Sequence, residues 1–97
     1  MAIYRINYNK VVGQANQISD LASDLNNEIA KLEGLLDRIK REWYGPASEA
    51  FQGQLLSLIA DMKTTRYNMN SVSTSIKNVA SKIQREDESR ASDSCAW

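Results

Sequence analysis

From Tyr4 to Trp43 the apolar residues recur at intervals that alternate between four and three: Tyr4, Tyr8, Val11, Ala15, Ile18, Ala22, Leu25, Ile29, Leu32, Leu36, Ile39, Trp43. A strand cannot carry this pattern, because its side chains alternate faces with a period of two. A mean spacing of about 3.5 residues instead keeps one stripe of a helix turned toward a partner helix along its whole length. In heptad terms Ala15, Ala22, Ile29, Leu36 and Trp43 take position a, and Val11, Ile18, Leu25, Leu32 and Ile39 take position d. The alternation resumes at Phe51 and runs through Leu55, Leu58, Met62, Thr65, Met69, Val72, Ile76, Val79 and Ile83, with Thr65 its one polar member. The next positions are Glu86 and Arg90, where the stripe stops. The charged and small residues beyond read as a frayed or flexible tail over 87–97.

Between the two stripes lies EWYGPASEAF, residues 42–51. Pro46 disfavours helical geometry at the residue before it and lacks a backbone donor, yet suits the first turn of a new helix. Gly45 is able to take the positive-φ conformation that ends a helix. Arg38, Lys40 and Arg41 fall in the last turns of the first helix and Glu49 in the first turn of the second, each where the helix dipole favours its charge. Helix one is therefore expected over about 9–42, a turn over 43–45, and helix two over about 46–86. So short a link forces the helices antiparallel. The expectation is an all-α fold, a single helical-hairpin domain with arms on the order of 50–60 Å long. Gly13, Gly34 and Gly53 fall at position f, on the outer face.

Two helices enclose little core. The apolar surface is also wider than one seam needs: Leu21 and Leu35 sit beside the helix-one seam at position g, and Leu56 and Ile59 flank the helix-two seam. A second hairpin packed alongside would bury them in a four-helix bundle. The expected core of hairpin and dimer together is Leu21, Leu25, Ile29, Leu32, Leu35, Leu36, Phe51, Leu55, Leu58 and Met62. The partner is either a second copy or a related chain. Met62 and Met69 read as seam filler, and Thr65 as a residue that bonds its own backbone one turn back or tunes register.

Composition excludes several functions. Twelve basic residues balance twelve acidic ones, so nothing draws the chain to nucleic acid or to an anionic membrane. There is no histidine, no Gly-rich phosphate loop and no clustered catalytic set, which argues against an enzyme, a metal site or a cofactor. A membrane-active role has little support without net positive charge. No apolar run approaches the roughly 18 residues that cross a bilayer, and the N-terminus lacks the pattern of a secretory signal peptide. Cys95 is the sole cysteine, so no internal disulfide forms.

A chain of 97 residues with two long helices and Trp43-Tyr44-Gly45 at its midpoint resembles the WXG family, the ESAT-six-like small substrates of type VII secretion. Ala47, Ala50 and Phe51 extend the likeness, which covers residues from about 5 to 85. The resemblance implies a non-enzymatic dimer, cytoplasmic before export and then secreted by a membrane ATPase machine without a cleaved signal peptide. It implies that the Trp-x-Gly turn of one subunit, through Trp43 and Gly45, lies near the C-terminal tail of the other and forms part of the export signal. Many members carry Tyr-x-x-x-Asp/Glu after helix two. Here Ile83 and Asp87 have the spacing and the acid but no aromatic. They are either a divergent tail signal, or a partner chain supplies the motif. In the second case the protein would be the tail-less half of a heterodimer, or an intracellular adaptor or chaperone for a larger toxin.

Overall fold

The computed structural model describes residues 7–95, with side chains described for 7–87. The described residues form two helices: α1, Tyr8–Glu42, and α2, Pro46–Cys95. They lie side by side as an antiparallel hairpin measuring 79 × 16 × 15 Å. Asn7 caps α1, its side-chain oxygen accepting from the Lys10 amide at 3.2 Å, which satisfies one of the donors a helix N-terminus leaves free.

In α1 the seam lies where the sequence places it. Ala15, Ala22, Ile29, Leu36 and Ile39 are buried, and Leu25 and Leu32 are half-buried. In α2 the phase differs from the expectation. Phe51, Leu58, Thr65, Val72 and Val79 are exposed. Their places toward α1 are taken by Gln52, Ile59, Arg66, Ser73 and Ala80, of which Ile59, Ser73 and Ala80 are buried. Ile59, expected at the flank, is core at 4% exposure. Leu55, Met62, Met69, Ile76 and Ile83 belong to both readings. Five residues carried the correct period while the other five were assigned one position too early.

The hydrophobic core is Ile29, Leu36, Ile39, Leu55 and Ile59, with Leu25, Leu32 and Met62 packed against it. All of it lies in the half of the hairpin nearer the turn. In the remote half the helices approach closely through small residues: the Ser73 hydroxyl donates to the Ala15 carbonyl at 2.7 Å, with both residues buried. Ser73 thereby sets the register, placing Ile29 level with Ile59. Thr65 bonds the Asp61 carbonyl one turn back at 3.0 Å, and Thr64 does the same to Ala60 at 3.2 Å.

A second correction concerns the end of α2, which continues to Cys95 rather than stopping near Glu86. Loss of the apolar stripe removes a packing partner. It does not remove helicity, and Gln84, Arg85, Glu86 and Glu88 are good helix formers. At about 1.5 Å per residue, α2 runs roughly 20 Å past the level of Tyr8.

Candidate functional site

The turn is built by backbone chemistry and fastened by three side chains. The Trp43 amide makes the last helical bond of α1, donating to the Ile39 carbonyl at 2.9 Å, and the Glu49 amide makes the first of α2, donating to the Gly45 carbonyl at 3.1 Å. Trp43 itself is extended, at φ −110° and ψ 133°. Gly45 has φ +109°, a region that an L side chain rarely occupies. Pro46 then opens α2. The Ser48 hydroxyl, buried, donates to the Trp43 carbonyl at 3.3 Å and accepts from the Gln52 amide nitrogen at 3.1 Å. The Tyr44 hydroxyl donates to the Arg41 carbonyl at 3.0 Å. Two carbonyls at the end of α1, which that helix cannot itself satisfy, thus find partners. Neither role was foreseen. Ser48 had a faint signal in the sequence, a small hydroxyl in the first turn after a break.

Within one hairpin Trp43 does not continue the buried stripe of α1, although its spacing places it at position a. The helix ends one residue earlier, so the ring leaves the stripe and is 55% exposed. It rests on Phe51, with ring centroids 6.0 Å apart and planes tilted by 48°. The tip of the hairpin therefore displays a Trp whose position is set by a neighbouring ring and a positive-φ glycine.

Below the tip one flank is apolar. The two-fold axis relating antiparallel helices stands perpendicular to their common plane, so equivalent heptad positions of both helices share a flank. The ion pair between Lys63 and Glu33, at 3.3 Å, displays this: each follows a buried isoleucine, Ile59 or Ile29, by four residues, and both lie on one side. Leu21 and Leu35 immediately precede the buried Ala22 and Leu36, while Phe51, Leu58, Val72 and Val79 immediately precede Gln52, Ile59, Ser73 and Ala80. These six belong to the opposite flank and are between 39 and 57% exposed. Leu56, also exposed, lies on the charged side.

Of the residues expected to form hairpin and dimer core, Leu25, Ile29, Leu32, Leu36, Leu55 and Met62 meet between the two helices. Leu21, Leu35, Phe51 and Leu58 lie on the apolar flank. Ile83 and Asp87 are half-buried on the stripe that continues Ile76 and Ala80, at the end away from the turn. Some 37 residues of helix, about 55 Å, separate Pro46 from Ile83. Among the described residues no group of three metal-ligating side chains comes together, and no helix is long and apolar enough to cross a membrane.

The family model for proteins of 100 residues with WXG matches residues 3–88. Among solved structures, EsxA of Geobacillus thermodenitrificans, in its crystal form I, superposes with a TM-score of 0.78 at 25% identity, over 91% of this chain and 97% of that one. No curated protein matches the chain significantly. The family model spans most of the chain, including the Trp43-Tyr44-Gly45 turn, and the fold is that of EsxA, so the chain belongs to the WXG family of small helical proteins associated with type VII secretion.

Proposed function

We propose that the protein is a non-enzymatic, dimeric substrate or co-exported partner of a type VII secretion system, moved from the cytoplasm to the cell exterior by the membrane ATPase. It acts by binding. Trp43, displayed at the tip and steadied by Phe51 and Gly45, is the observation that carries this reading. A ring of this size left half in water is a ready anchor for a partner's pocket.

The dimer follows from two features. The apolar flank of Leu21, Leu35, Phe51, Leu58, Val72 and Val79 has no cover in one hairpin, and a second copy placed flank to flank completes a four-helix bundle. The turn and the residues Ile83 and Asp87 also lie at opposite ends of one chain. An antiparallel second copy brings the tail of one toward the turn of the other, which makes a joint export signal geometrically possible.

The deciding experiment is secretion of the Trp43→Ala variant by the native host, read as protein in the medium against protein in the cells, alongside its thermal unfolding. The expected result is loss of export with stability lowered by about 1–2 kcal/mol, the size of one half-buried ring pair. Export and stability both at the wild-type level would refute the role of the turn. Native mass by light scattering, with reductant present for Cys95, tests the dimer: twice 10.9 kDa is expected. A poorly folded monomer would assign the second hairpin to another chain.

A further inference from the structure

We propose that the half of the hairpin remote from the turn opens as a unit, hinged in α2 where Thr64 and Thr65 bond their own backbone, with the hydrogen bond from Ser73 to Ala15 as its latch. The two halves are held together by different means. The core cluster and the side chains packed on it come from residues 25–39 and 55–62. Beyond it, the fully buried members of the stripe are Ala15, Ala22, Ser73 and Ala80, each with a fraction of the apolar surface of an isoleucine or leucine, while the larger Ile18, Met69, Ile76 and Ile83 are only half-buried. Arg66, half-buried, stands at the boundary and donates to the Asn26 side chain.

The helix itself is weakest at the same level. Threonine hydroxyls that bond the carbonyl one turn back loosen and bend a helix, and Thr64 and Thr65 do so in succession. The ten residues that follow Arg66, YNMNSVSTSI, contain no charge, so no ion pair one turn apart supports them. Asn, Ser, Thr, Val and Tyr are middling or poor helix formers. Weak packing, weak propensity and a back-bonded Thr pair coincide, which is the physical profile of a segment that opens below the global unfolding energy. The arm that swings carries Ile83 and Asp87, so opening changes where these residues are held relative to α1. The inference does not rest on the proposed export role and concerns the single hairpin: a second hairpin on the apolar flank would also cover Leu21, Val72 and Val79 of this half, so exchange is read below the association midpoint.

Hydrogen–deuterium exchange of the full chain, read by mass spectrometry at several low denaturant concentrations, tests it. Residues 11–22 and 69–80 are expected to share one faster exchange rate and one denaturant slope, with a step to slower exchange in 25–39 and 52–62. The Ser73→Ala variant weakens the closed state alone and should speed exchange in both remote arms about fivefold, the weight of one ordinary hydrogen bond, whereas the mild core variant Ile29→Val should speed exchange in the turn-side half and leave the remote arms at their wild-type rate. Protection that decays smoothly inward from the helix ends would reduce the effect to fraying and overturn the hinge. Equal acceleration of the whole hairpin by Ile29→Val would overturn it as one cooperative unit, and an unchanged rate in 11–22 in Ser73→Ala would overturn the latch. If the variant does not fold, the wild-type profile decides between a step and a smooth or flat curve.

Discussion

Replacing Leu55 and Leu58 by alanine, one at a time, separates the two surfaces of α2. The residues stand three apart and would be equivalent on a stripe centred between them. Leu55 is 6% exposed and belongs to the core with Ile29 and Ile59. Its truncation removes buried carbons and leaves a cavity, at a cost of about 2–5 kcal/mol per chain. Leu58 is 49% exposed within one hairpin, so about half of its surface is already out of water. Only the half covered by a second copy remains to be lost. At roughly 2 kcal/mol for burying a whole leucine, that is about 1 kcal/mol per chain. The two-fold symmetry of a homodimer counts it twice, about 2 kcal/mol, which weakens dimerisation roughly 30-fold. The assay is sedimentation equilibrium over a wide concentration range, paired with urea unfolding followed by helical circular dichroism at one fixed concentration. Leu58→Ala should move the monomer–dimer midpoint and lower stability modestly, while Leu55→Ala should lower stability severely. Equal unfolding penalties for the two variants would refute the phase of α2. Unchanged association in Leu58→Ala would remove the apolar flank from the interface.

Two glycines should respond in opposite directions. Gly34 lies on the exposed face of α1, and a Cβ there meets nothing within 4 Å, so Gly34→Ala should stabilise by about 1 kcal/mol in urea unfolding. Gly45→Ala has equal space but φ +109° and should destabilise by about 1–2 kcal/mol. The ion pair of Lys63 with Glu33 leaves both side chains about half exposed. Lys63→Ala should therefore change the urea midpoint by less than about 0.5 kcal/mol, and the small difference should vanish in high salt.

The turn was legible because its chemistry is local. A proline and a glycine in succession, with cations before and an acid after, constrain the backbone whatever packs nearby. α1 was legible because the positions beside its stripe are mostly polar despite Leu21 and Leu35, which leaves one choice of inward face. α2 offers two faces that share Leu55, Met62, Met69, Ile76 and Ile83. The set with Phe51, Leu58, Val72 and Val79 is the more apolar, and a reading by hydrophobicity chooses it. The hairpin instead turns Gln52, Ile59, Arg66, Ser73 and Ala80 toward α1. The physical reason lies in the partner helix. Ala15 and Ala22 leave room for close approach, which Ser73 uses to reach a backbone carbonyl, and bulkier residues opposite would force the helices apart. The extent of α2 was misread for a related reason, since the apolar stripe reports where a helix packs and not where it ends.

By itself, then, the sequence determined two long helices, their antiparallel pairing and the Trp43–Gly45 break, all consequences of spacing and backbone chemistry along one chain. Which side of α2 meets α1, and hence which apolar residues are left for a partner, was decided by the tertiary structure, because it depends on the size of the side chains opposite, 58 residues away in the chain for Ser73 and Ala15.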